Sequence, residues 1–73
     1  MSIMDFSGKK ILVIGAGISG RAASMALVRH GGSVILNDMK QLDVSEAPWT
    51  DIAAAGVQLV FGSQDTSLLD GID

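Results

Sequence analysis

The residues best suited to chemistry are three glycines, Gly15, Gly17 and Gly20, in the hexapeptide Gly15-Ala16-Gly17-Ile18-Ser19-Gly20. In a Gly-x-Gly-x-x-Gly loop each glycine has a separate task. The first permits a tight turn out of a strand, the second removes a side chain that would block a phosphate, and the third allows close contact between helix and sheet. A helix starting inside the loop directs unpaired N–H groups at that phosphate, and its dipole favours negative charge. Asp38 lies 18 residues beyond Gly20. That is close to the spacing of about 20 at which a carboxylate meets a ribose in such sites. The glycine pattern also occurs as a structural strand-to-helix turn that binds nothing. Here a strand-like run precedes it, a helix-like segment follows, and an acid closes the next strand, which favours a nucleotide or dinucleotide ligand.

Neighbouring residues leave alternatives open. The Ser19 hydroxyl suits a diphosphate and equally suits a helix cap. Arg21 and Lys40 are placed to neutralise phosphate or to sit in solvent. His30, at the end of the helical segment, complements the helix dipole when protonated; no acid or nucleophile stands beside it in sequence, so it is not read as catalytic. Trp49 reads as a packing anchor for its loop, and Met25 and Leu27 as core. The chain has no Gly-x-x-x-x-Gly-Lys-Ser/Thr loop, no His-Glu-x-x-His pair and no Gly-x-Ser-x-Gly turn. The pattern is that of a ligand site without a reaction centre.

The elements that must position these residues follow from the hydrophobic pattern. Lys9 to Ile14 is a short apolar run ending at glycine, which fits a strand buried on both faces of a parallel sheet. Residues 1–7 read as a lead-in. Ile18 to His30 is long enough for a helix and stops at Gly31-Gly32. Its sheet-facing side is expected at Gly20, Ala23, Ser24 and Leu27, with Ala22, Met25 and Ala26 as a second apolar strip. Ser33 to Asn37 predicts a second strand ending at Asp38. A polar loop with Pro48 leads to a weak helix over Trp49 to Ala55, stopped by Gly56. Val57 to Phe61 predicts a third strand, Ser67 to Asp70 one helical turn, and Gly71-Ile72-Asp73 the approach to a fourth strand. This is the mononucleotide-binding half of a doubly wound α/β fold, with a parallel sheet in the order 3-2-1 and flanking helices. The edge of strand one is then bare. An apolar edge invites pairing, so the chain is expected either to self-associate there or to belong to a longer polypeptide.

Composition narrows the class further. Seventy-three residues make one small domain, and a domain of roughly this size buries only about 60% of its unfolded surface. With no cysteine and one histidine, neither a disulfide nor a chain-held zinc site is available to brace it. The apolar content argues against disorder. The apolar runs are far too short for a bilayer, and no signal peptide is evident, so no membrane partner and a cytoplasmic location are expected. A net charge of −3 argues against a nucleic-acid partner.

The stretch Gly8 to Gly20, the strand-two ending Val34-Ile35-Leu36-Asn37-Asp38-Met39-Lys40, the segment Gly56 to Gly62 and the closing Leu68-Leu69-Asp70-Gly71-Ile72-Asp73 together resemble the N-terminal domain of the UDP-N-acetylmuramoyl-L-alanine:D-glutamate ligases, the Mur ligases that add D-glutamate in peptidoglycan synthesis. The resemblance spans nearly the whole chain. It implies a three-domain enzyme whose first domain holds the uridine diphosphate end of UDP-N-acetylmuramoyl-L-alanine. ATP and magnesium would act in the central domain, so no cofactor is expected in this fragment, which alone would be inactive. By position, Ile18 and Ser19 match loop residues near the uridine and diphosphate, and Asp38, Met39 and Lys40 match the turn around the uracil. Met39 departs from the threonine of some relatives, which removes a hydroxyl contact and leaves a backbone one. Two other readings of the loop stand beside this one: the N-terminus of an NAD- or FAD-dependent oxidoreductase, and a regulatory nucleotide sensor. Asp38 fits NAD better than FAD.

Overall fold

The computed structural model describes residues 6–73; the lead-in expected over residues 1–7 lies outside them as far as residue 5. Strand β1 (Lys10–Ile14), helix α1 (Ile18–Arg29), strand β2 (Ser33–Asp38), helix α2 (Trp49–Ala54), strand β3 (Gln58–Phe61) and a 3-10 turn (Thr66–Leu69) follow one another. The three strands form one parallel sheet in the order β1-β2-β3, the arrangement read from the sequence. Leu36 at the centre of β2 is in register with Val13 of β1 and Leu59 of β3.

Both helices end where glycine permits it. After α1, Gly31 takes a φ of +90°. Its N–H donates to the Val28 carbonyl, and the Gly32 N–H donates to the Leu27 carbonyl, the paired bonds that close a helix through a left-handed residue. Gly56, at φ +108°, closes α2 in the same way, with bonds from Gly56 to Ala53 and from Val57 to Ile52.

Strand alternation divides the sheet into two faces. Val34 and Leu36 of β2 are buried with Ala16, Ile52 and Val57, and Val13, Met25, Leu27, Val28, Trp49, Leu59 and Phe61 pack around them. This is the helix-covered face. Asn37 points to the other face, where residues 63 and 64 cross it. The chain after β3 therefore returns across that face toward β1. There the Asp73 N–H donates to the Lys10 carbonyl at 2.9 Å, and the Lys10 N–H donates to the Asp73 carboxylate at 2.7 Å.

Two expectations are corrected. The strand buried on both faces is β2, not β1: Lys10 to Val13 are half-buried and Ile14 is 64% exposed, because β1 lies at the edge of the sheet and pairs with β2 alone. On α1 the buried side is narrower than expected. Ser24 is fully buried and Leu27 packs on the core, but Ala22, Ala23 and Ala26 face outward. The covered strip runs through Gly20, Arg21, Ser24, Met25, Leu27 and Val28. The Ser24 hydroxyl stays buried at no loss by donating to the Gly20 carbonyl four residues back, at 2.8 Å.

Candidate nucleotide site

The site is built at the carboxyl ends of β1 and β2, where α1 begins. Gly15 turns the chain out of β1 at φ +99°, and its N–H donates to the Asn37 carbonyl at 2.7 Å, extending the β1–β2 pairing one residue into the loop. A side chain at Gly20 would strike the Gly15 carbonyl oxygen, with the Gly15 carbonyl carbon at 3.0 Å and Leu36 Cδ1 at 3.7 Å. The third glycine therefore lets the first turn of α1 lie against the loop and the sheet. Gly17 differs from both. Its φ of −72° is open to any residue, and a β-carbon there would meet no protein atom within 4 Å. Nothing in the chain itself requires glycine at 17.

Gly17 is also the residue before α1. No side chain caps that end, and the first bond across it runs from the Arg21 N–H to the Gly17 carbonyl at 2.9 Å. The N–H groups of Ile18, Ser19 and Gly20 thus precede the ladder of intrahelical bonds. Of the two roles open to Ser19, capping is removed: the residue lies inside the helix, exposed, and makes no cap bond. Its hydroxyl stands beside the helix start.

Asp38 ties the site together. One carboxylate oxygen accepts the Ala16 N–H and the other the Lys40 N–H, each at 2.9 Å. These bonds, Lys40 first and then Ala16, hold the carboxyl below its ordinary value of 3.8, with the Lys40 charge acting the same way and burial opposing. The carboxylate therefore links the strand-two turn to the glycine-rich loop, a role that sequence spacing did not reveal, while each oxygen retains a further acceptor position. Met39 between them is 67% exposed, as are Ile18 at 78% and Ile14 at 64%. The three exposed side chains stand at the end of β1, the start of α1 and the exit of β2, an open shelf with no enclosed pocket among the described residues.

Arg21 lies against Trp49. Its guanidinium lies 5.6 Å over the Trp49 ring, and Trp49 meets Phe61 edge-on, with centroids 4.9 Å apart. Trp49 is the packing anchor expected of it. His30 is the exposed C-cap of α1. Among the described residues no three metal-ligating side chains cluster, and no helix is long and apolar enough to cross a membrane.

A parallel three-stranded α/β unit with an uncapped helix start at a Gly-x-Gly-x-x-Gly loop, and an acid at the end of the second strand, has a Rossmann-like architecture. No family model matches the chain. Curated relatives do. It is 48% identical over 60 residues, 82% of its length, to UDP-N-acetylmuramoylalanine–D-glutamate ligase of Pelotomaculum thermopropionicum. It is 37% identical over 70 residues to the ligase of the same name from Shouchella clausii, and 38% over 68 residues to that of Limosilactobacillus fermentum. The chain belongs to the UDP-N-acetylmuramoylalanine–D-glutamate ligase family. It spans 13–15% of the length of these three relatives.

Proposed function

We propose that this chain is the substrate-docking part of a ligase that adds D-glutamate to UDP-N-acetylmuramoyl-L-alanine, and that it holds the uridine diphosphate end of that substrate. The observation that carries the reading is Gly17: a glycine that the fold does not need, in open space before an uncapped helix start. A diphosphate oxygen placed there accepts from the N–H groups of Ile18, Ser19 and Gly20, and the Ser19 hydroxyl adds a donor. Asp38, Met39 and Lys40 then offer the uracil a carboxylate, an apolar side chain and main-chain groups. With the shelf open to solvent, the helix-start attraction amounts to about 0.3–1 kcal/mol and is screened by salt, so docking to this chain alone is weak.

Ligase chemistry needs groups that these residues do not supply. ATP and magnesium belong, in this reading, to another domain of a longer enzyme. No step of bond formation is assigned to the residues of this chain. A cytoplasmic location goes with this role.

The test is an amide-resolved NMR titration with UDP-N-acetylmuramoyl-L-alanine, UDP and NAD in parallel. Shifts at Gly17, Ile18, Ser19 and residues 38–40 with both uridine nucleotides are expected. A response of these residues to NAD alone would overturn the proposal in favour of an oxidoreductase.

A further inference from the structure

We infer that Asn37 is a positioning residue for this site: its buried carboxamide locks the return segment after β3 to the glycine-rich loop, so that the two move as one body. The inference rests on the docking reading above for its functional consequence, but its structural half stands separately.

Asn37 is fully buried in a strand whose preceding residues are Val34, Ile35 and Leu36. A buried amide in such surroundings is unfavourable unless its donors and acceptor are all matched. Here they are. Nδ2 donates to the Val60 carbonyl and to the Ser63 carbonyl, each at 2.7 Å. Oδ1 accepts from Gln64 Nε2 at 3.1 Å. Two carbonyls and one amide donor can be satisfied at once only by a group carrying two N–H bonds and one acceptor, which an aliphatic residue or a carboxylate cannot provide.

The main chain of the same residue points to the site. The Asn37 carbonyl accepts the Gly15 N–H, and the neighbouring Asp38 carbonyl accepts the Gly62 N–H at 3.0 Å. The exits of β1 and β3 are not adjacent in the sheet, yet Asn37 holds both, Gly15 through its carbonyl and Ser63 through its carboxamide, with Gly62 held by Asp38 beside it. A shift of the turn at 62–64 is therefore transmitted through Asn37 to the peptide that opens the phosphate loop.

The test compares the 73-residue chain with its Asn37→Asp and Gln64→Ala variants. At neutral pH the Asn37→Asp carboxylate faces the Val60 and Ser63 carbonyls; the groups around it, those carbonyls and the Gln64 amide, are uncharged, and the Asp38 carboxylate is engaged with Ala16 and Lys40. Protonation restores one donor. The variant's affinity for UDP-N-acetylmuramoyl-L-alanine, taken as a ratio to the unmodified chain, is expected to be at least about tenfold lower at pH 8 and to recover toward unity by pH 5.5. Amide hydrogen exchange is expected to quicken at Gly15 together with residues 62–64, while α2 is unchanged. The Gln64→Ala variant removes one bond from an exposed residue and is expected to keep the fold. It should show the same paired exchange change on a smaller scale, and it decides the matter if Asn37→Asp does not fold. Exchange altered at 62–64 without any change at Gly15, or an affinity ratio independent of pH, would overturn the inference. Should the unmodified chain bind no uridine nucleotide, the docking reading falls, and the exchange data still decide whether Asn37 couples the two segments.

Discussion

A methyl group at position 17 would enter open space, whereas one at position 20 would collide with the Gly15 carbonyl, so two alanine substitutions separate ligand binding from folding. Gly17→Ala keeps an allowed backbone and removes chain entropy from the unfolded state, so its stability should be unchanged or higher by about 0.4–1 kcal/mol. Its affinity for a uridine diphosphate should fall about tenfold or more. Gly20→Ala should cost about 1–3 kcal/mol of stability through overpacking. Denaturant unfolding and a UDP titration on the same samples check both outcomes. Asp38 makes a prediction of a different kind. Its carboxyl is held below the ordinary 3.8 by the Lys40 and Ala16 N–H groups, so the folded value lies under the unfolded one. The stability it contributes is complete above about pH 4 and is lost as pH falls through the folded value. A carboxyl-carbon NMR titration should place the Asp38 midpoint below 3.8 and show the Ala16 and Lys40 amide signals moving with it.

At the scale of elements, strands, helices and their order were legible because the pattern is local. Apolar runs of strand length end at Gly15, Asp38 and Gly62, and Gly31 and Gly56 take the left-handed conformations that stop the helices. Burial was less legible. Ile11 to Ile14 is as apolar as the core of β2, but which strand is covered on both sides depends on neighbours, and β1 has only one. Ala23 sits on the outer side of α1, while Arg21 on the covered strip lies over the Trp49 ring. That contact joins residues far apart in sequence, and no helical period reports it. The link from Asp38 to Ala16 escaped the sequence for the same reason: spacing marked the carboxylate as a ligand group, and only the fold shows that it also braces the loop. The aromatic contact has a measurable weight. Trp49→Ala should destabilise the chain by about 2–3 kcal/mol, below the 3–5 kcal/mol of a fully buried aromatic since the ring is half-buried. The loss should appear in denaturant unfolding together with chemical-shift changes in the first turn of α1.

For the whole molecule, the exposed side of β1 is the dominant fact. In a parallel pair, alternate residues direct their N–H and C=O groups to opposite sides. Ser33 bonds to Lys9 and Gly15 to Asn37, so Lys10, Leu12 and Ile14 present theirs at the edge, and Asp73 engages the first of them. Leu12 and Ile14 amides should exchange much faster than those of Ile11 and Val13. If two copies pair through this edge, raising the protein concentration should protect Leu12 and Ile14 while light scattering reports a dimer. Monomeric scattering with unchanged exchange would rule that pairing out. The guanidinium over the indole, itself edge-on to the Phe61 ring, has its own bearing on such measurements. Trp49 is the only tryptophan, and the cation above it belongs to the opening turn of α1. Trp49 is therefore a built-in optical probe placed against that turn, and tilts of the turn are expected to change its emission, which a mixing experiment would time without any attached dye.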